Sequence, residues 1–163
     1  ALRVLKVMLR YDYLWINVRV KGGAYGIMCN FGKTGDSYLV SYRDPNLKKT
    51  VDIFEKTSDY LRDFHADERT MTKYIIGAVS DMDVPMTPAV KGSRSSSAYL
   101  TNLDFEEIQR ERDEVLACSQ ESIRTLAGYL DAIMSQEAVC VVGNGQSIGE
   151  NREMFMKVEN LFH

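Results

Sequence analysis

The hydrophobic period changes at Gly22-Gly23, and that change constrains the fold more than any other feature of this 163-residue chain. Upstream, Val4, Met8, Tyr11, Trp15 and Val18 recur at three- and four-residue steps, which puts them on one stripe of a helix. Downstream, residues 24–31 and 37–43 read as strands, the second alternating Tyr38, Val40 and Tyr42 on one face. Lys33-Thr34-Gly35-Asp36 is the expected turn between them, and so short a connection predicts an antiparallel hairpin.

Further along, Asp44-Pro45 has the chemistry of a helix start: a carboxylate suited to the N-cap, then a proline where its missing N–H is harmless. Leu47, Val51, Phe54, Leu61 and Phe64 follow at helical spacing, and a second helix is expected from near Asp67 through Met71, Ile75, Val79 and Met82. Two prolines, Lys91-Gly92 and four serines make residues 83–97 an expected long loop. Asp104 with Glu107 resembles a capping box opening one long helix to about Gln136, with Val115, Leu116, Ile123, Leu126, Leu130 and Ile133 expected inward. Ala138–Val142 reads as a short buried strand, and Ser147 with Glu150 as the capping box of a terminal helix. The expectation is one α+β domain over residues 1–163, a two-layer arrangement with an antiparallel-rich sheet and helices packed on one side. At this length folding buries roughly two thirds of the chain surface, enough for a core without staples.

Charge and composition remove several function classes. With 20 Lys plus Arg against 23 Asp plus Glu, the chain has no electrostatic footprint for a nucleic acid or an anionic membrane, and neither is expected as a partner. No apolar run reaches the roughly 18 residues of a membrane span. Cys29, Cys118 and Cys140 are odd in number and far apart, so a reducing compartment is expected. Only His65 and His163 are available as imidazole ligands, which argues against a zinc site in this chain.

Three stretches hold residues with chemistry. Gly143-Asn144-Gly145-Gln146-Ser147-Ile148-Gly149 follows an apolar run as a dinucleotide-binding turn would, but no later strand can supply the ribose carboxylate, so a plain strand-to-helix turn is expected. His65-Ala66-Asp67-Glu68-Arg69 is one substitution short of the inverted zinc motif His-x-x-Glu-His; Arg69 cannot bind a cation, and Asp67 as N-cap puts His65 before the helix. Arg19-Val20-Lys21-Gly22-Gly23-Ala24-Tyr25-Gly26 joins the first helix to the first strand. Its glycines allow positive φ or close approach, and its Arg and Tyr can donate to a carbonyl; equally, Arg19 can be a helix-end cation and Tyr25 a sheet aromatic.

Several segments taken together carry a resemblance. VRVKGGAYG (Val18–Gly26), SYRDPNL (Ser41–Leu47), Ile75-Ile76-Gly77, Lys91-Gly92 and Ile108-Gln109-Arg110-Glu111-Arg112, in this order, resemble the C-terminal part of the presequence-protease branch of the pitrilysin/insulinase zinc metallopeptidases. The resemblance implies a clamshell of two homologous halves, of which this chain is the last domain of the non-catalytic half. Zinc and the general base then belong to the N-terminal half of the same polypeptide, and no metal is expected here.

The resemblance further implies that Arg19 and Tyr25 reach across the closed chamber to the substrate, with Lys21, Gly22 and Gly23 shaping the strand entry beside it. The expected substrates are unstructured peptides, and the chain alone is expected to be inactive and to self-associate through the surface its missing neighbours would cover. The compartment implied is the cytoplasm for a bacterial chain, or the mitochondrial matrix or another organelle for a eukaryotic one. The competing expectation is a structural or interaction domain of the same superfamily that has lost catalysis.

Overall fold

A computed structural model describes residues 1–32 and 35–161; Lys33 and Thr34 of the expected turn, and His163, lie outside the described residues. Helix α1 (Leu2–Tyr11) buries Val4, Leu5, Val7, Met8 and Leu9. Each such side chain contributes about 1.5–3 kcal/mol of apolar burial, so α1 is the spine of the core. Asp12 then interrupts the helix at φ −113° and ψ −86°. Its carboxylate accepts a hydrogen bond from the Tyr74 hydroxyl. Burial holds the Asp12 carboxyl above the usual carboxylate range, only partly offset by Lys73. The chain resumes as a π-helix over Trp15–Val20, so the single expected helix is two segments broken at a half-buried carboxylate.

Strands β1 (Gly26–Phe31) and β2 (Ser37–Tyr42) form the expected antiparallel hairpin, with Met28 opposite Val40 and Cys29 opposite Leu39. Ile27 and Cys29 face the core, while Met28, Tyr38, Val40 and Tyr42 face outward and are exposed. The apolar triplet of β2 is thus the outer face, and Leu39 is the residue that packs inward. Helices cover one side of this small sheet, which is the α+β arrangement the sequence implied.

The segment after β2 departs from expectation in one detail. Helix α2 (Leu47–Glu55) has Asn46 at its N-cap, and Asp44 sits outside it, accepting from the Asn46 N–H at 2.9 Å and from the buried Thr50 hydroxyl at 2.6 Å. Lys56 separates α2 from α3 (Thr57–Arg62), which buries Leu61. Helix α4 (Glu68–Met82) begins as expected, with Asp67 accepting from the Thr70 N–H at 2.7 Å, and packs Met71, Tyr74 and Ala78 inward.

Residues 88–100 are not a loop. They form α5 (Pro88–Leu100), because Thr87 caps it and Pro88 occupies the first turn, a stronger start signal than the serines are a breaker. No residue of α5 is buried. The expected long helix is three: α6 (Phe105–Leu116), α7 (Gln120–Arg124) and α8 (Ala127–Met134). Asp104 caps α6 as expected, but Ser119 and Ser122 form a reciprocal capping box that restarts the chain as α7. Val115, Ile123 and Leu130 still reach one core, with Leu126 and Ile133 partly buried against it, which is why the periodicity runs across the breaks; Leu116, expected inward, ends α6 exposed.

The expected strand at 138–142 is absent: these residues have no ladder partner among the described residues, and Val139 and Val142 are exposed. Helix α9 (Gly145–Glu150) is capped by Asn144, whose side chain accepts from Gln146 and Ser147, so Ser147 lies inside the helix rather than at its cap. Among the described residues no helix is long and apolar enough to cross a membrane.

Candidate functional site

The π-helix determines where Arg19 goes. Its turn is wide, with the Lys21 N–H bonding back to the Ile16 carbonyl at 2.9 Å, and such bulges concentrate at functional sites. Arg19 uses Nε to donate to the Tyr25 carbonyl oxygen at 2.9 Å, and its guanidinium lies over the Trp15 ring, 3.9 Å from the centroid. The helix end is thereby tied to the start of β1, two points six residues apart in sequence.

Gly22 and Gly23 make that tie feasible for different reasons. A Cβ on Gly22 would lie 2.3 Å from the Val18 carbonyl oxygen, so only glycine fits against the π turn. Gly23 has φ +82°, the left-handed region that side chains resist. The loop is then gripped from the second motif: Asn46 Nδ2 donates to the Gly22 carbonyl, and the Tyr25 N–H donates to the carbonyls of Tyr42 (3.1 Å) and Arg43 (3.3 Å). Asp44 holds the Asn46 backbone in turn. Two of the five segments that carry the resemblance, Val18–Gly26 and Ser41–Leu47, therefore meet in one hydrogen-bonded unit.

Tyr25 is 65% exposed, and its ring stands edge-on to Tyr42 with centroids 6.0 Å apart. The Arg43 guanidinium lies 5.8 Å from the Tyr25 centroid and 5.4 Å from that of Tyr42, on a residue whose own φ is +47°. Lys21 is exposed and reaches only Asn17 Oδ1, at 3.4 Å. Among the described residues, Arg19, Lys21 and Arg43 form no ion pair. A chain of net charge −3 thus presents Arg19 and Arg43 against Tyr25, whose phenol is accessible, with Lys21 on the same loop, a surface suited to carbonyl oxygens and developing negative charge. Neither Arg19 nor Tyr25 is sealed in apolar packing.

The other candidates stay apart from this surface. His65 lies before α4 as expected, with Nδ1 2.7 Å from the Asp63 carbonyl oxygen. Gly143–Gly149 is an exposed turn into a short helix with no strand before it, which removes the dinucleotide-binding geometry. Lys91 and Gly92 lie on exposed α5. Two shallow depressions, one between α4 and α6 bounded by Ile75, Val79 and Leu116, the other between α5 and α6, are distant in sequence from Arg19 and Tyr25 and share no residue with them. Among the described residues no three His, Cys, Asp or Glu side chains come together as a metal site.

Sequence reasoning singled out Arg19, Lys21, Gly22, Gly23 and Tyr25 and missed Trp15, Arg43 and Asn46. Trp15 read only as a member of the apolar stripe, although its four-residue spacing to Arg19 was a signal that the two side chains share a helix face.

Residues 1–144 match the PreP C-terminal domain. The chain belongs to the PreP C-terminal domain family. It is 44% identical over 161 residues to "Protein HypA" of Clostridium perfringens, covering 99% of this chain and 16% of that protein. It is 38% identical over 160 residues to "Presequence protease 1, chloroplastic/mitochondrial" of Arabidopsis thaliana, covering 96% of this chain and 15% of that protein. It is 29% identical over 151 residues to "Presequence protease, mitochondrial" of Aspergillus oryzae, covering 92% of this chain and 14% of that protein. The chain spans about one sixth of the length of these relatives.

Proposed function

We propose that this PreP C-terminal domain is part of a zinc-dependent metalloendopeptidase that degrades unstructured peptides in a closed chamber, and that it supplies substrate-contacting residues rather than the metal centre. Family membership and the printed names of the presequence proteases support the peptidase assignment. The observation that carries the site assignment is the Arg19–Tyr25 unit: a guanidinium tied by one nitrogen to the loop, next to an exposed phenol.

Zinc in this proposal is held by the N-terminal half of the same polypeptide, as the family resemblance implies, and this chain supplies no ligand to it. The work left to this chain is electrostatic. Cleaving a peptide bond develops negative charge on the carbonyl oxygen, and the Tyr25 O–H can donate to it. The terminal nitrogens of Arg19 can hold the same oxygen or a neighbouring carbonyl. Lys21 adds positive potential at the loop, and Gly22 and Gly23 keep the backbone low beside the peptide. Because the site is split, these donors act only when the two halves close, which restricts substrates to chains that fit inside. The domain alone is inactive in this proposal, and the compartment that accompanies it is the cytoplasm for a bacterial parent and the mitochondrial matrix or another organelle for a eukaryotic one.

The test is Tyr25→Phe and Arg19→Ala in the full-length protein, assayed on an unstructured fluorogenic peptide. Each is expected to lower kcat by about 10²–10³, the usual loss for one oxyanion donor. Unchanged turnover in both removes the catalytic role and leaves the structural-domain alternative.

A further inference from the structure

We propose that Trp15 is a positioning residue for Arg19, its indole holding the guanidinium plane without neutralising it. The inference rests on the peptidase proposal and goes beyond it by assigning a residue that touches no substrate atom. Arg19 sits four residues after Trp15 on the π-helix, with its guanidinium carbon 3.9 Å from the indole centroid. That is stacking contact, well inside the ~6 Å reach of a cation–π pair. The second fixed point is the Nε hydrogen bond to the Tyr25 carbonyl, at 2.9 Å. A backbone anchor, one hydrogen bond and a stacked face together define where the two terminal nitrogens lie, and among the described residues those nitrogens bond to no other protein group.

Arginines are more commonly fixed by carboxylates in bidentate pairs. A carboxylate here would occupy the donors a substrate oxygen needs and would repel the charge developing on it. An aromatic face avoids both effects: it orients the plane, leaves four N–H groups free and keeps the full positive charge. The exposure of Trp15 fits this role. Trp15 is 37% exposed, although a purely structural tryptophan would be expected deeper in the core that takes Leu14 and Val18 on either side of it in sequence.

The experiment is a double-mutant cycle on kcat/KM in the full-length protein, using Trp15→Ala, Arg19→Ala and the double variant, with Trp15→Phe and Trp15→Leu as controls. Trp15→Ala is expected to lose about 3–30-fold, the range a cation–π contact supports, with the loss mainly in kcat. In the Arg19→Ala background the same change is expected to have no further effect. Phe, which keeps a π face, restores most of the activity, whereas Leu, which keeps apolar bulk alone, behaves like Ala; this pair remains readable if Trp15→Ala is too unstable to purify. Equal losses from Trp15→Ala with and without Arg19, or full activity in the Leu variant, overturn the positioning role while leaving the peptidase proposal intact. Full activity of Arg19→Ala itself overturns the positioning role together with the substrate-contacting role of Arg19, and leaves the peptidase assignment, which rests on the family, standing.

Discussion

Replacing Gly22 by alanine tests the packing of the loop more directly than any change at a side chain. The added Cβ would lie 2.3 Å from the Val18 carbonyl oxygen, 3.0 Å from the Val18 carbonyl carbon and 3.1 Å from the Asn17 carbonyl oxygen. Ordinary contact begins near 3.4 Å, so the closest approach must open by about 1 Å. All three atoms are backbone, and no rotamer change relieves them. Overpacking of this kind costs about 1–3 kcal/mol, and a rigid neighbour puts the expected value near the upper end, about 3 kcal/mol.

Gly23 is a different case. Its φ of +82° penalises alanine by about 1–2 kcal/mol, but its nearest contact is Pro45 Cγ at a comfortable 3.7 Å. Gly23→Asn should therefore be milder than Gly23→Ala, since asparagine tolerates the left-handed region, whereas Gly22→Asn should be no milder than Gly22→Ala. Urea unfolding monitored by circular dichroism measures the four values. In the full-length protein, Gly22→Ala also moves the π turn that carries Arg19, so peptide turnover should fall further than stability alone explains. A Gly22→Ala protein within about 0.5 kcal/mol of the parent, the range of neutral surface changes, would refute the reasoning.

Two other outcomes are expected. At Gly77 an added Cβ would meet Val7 Cγ1 at 2.8 Å where α4 crosses α1, so Gly77→Ala should destabilise by about 1–3 kcal/mol, and adding Val7→Ala should recover part of that loss in thermal unfolding. Burial pushes the Cys29 thiol up to about 11, leaving roughly a thousandth as thiolate at pH 8, so iodoacetamide should label exposed Cys140 quickly and Cys29 only on unfolding, as read by peptide mass mapping. Rapid labelling of Cys29 in the folded chain would contradict its place on the core face of the hairpin.

What was legible in the sequence was what short-range chemistry decides. The Asp67 and Asp104 caps, the hairpin and the amphipathic α1 each rest on a few adjacent residues, and each is present. The errors arose where a local pattern has more than one physical outcome. The stripe Val115, Ile123, Leu130 stays in phase whether the backbone runs straight or restarts at Ser119, so periodicity could not reveal the breaks. The serines of α5 suggested a loop, yet Thr87 and Pro88 start a helix that the serines tolerate because none of them packs. Ala138–Val142 has strand composition, but a strand exists only with a neighbour to pair with, and the described residues provide none.

The site divides in the same way. The types and order of Arg19, Gly22, Gly23 and Tyr25 were readable. The contacts that organise them were not, because Trp15 under Arg19 and Asn46 on Gly22 are partnerships of folded geometry rather than of composition.

The bond from the Asn46 side chain to the Gly22 carbonyl has a consequence for anyone who would re-engineer this region. Residues 18–26 and 41–47 are joined by hydrogen bonds and are expected to transfer only as a pair. A library that randomises one segment while holding the other constant will mostly sample mismatched halves. Exchanging both together between homologous scaffolds should carry the arrangement across intact.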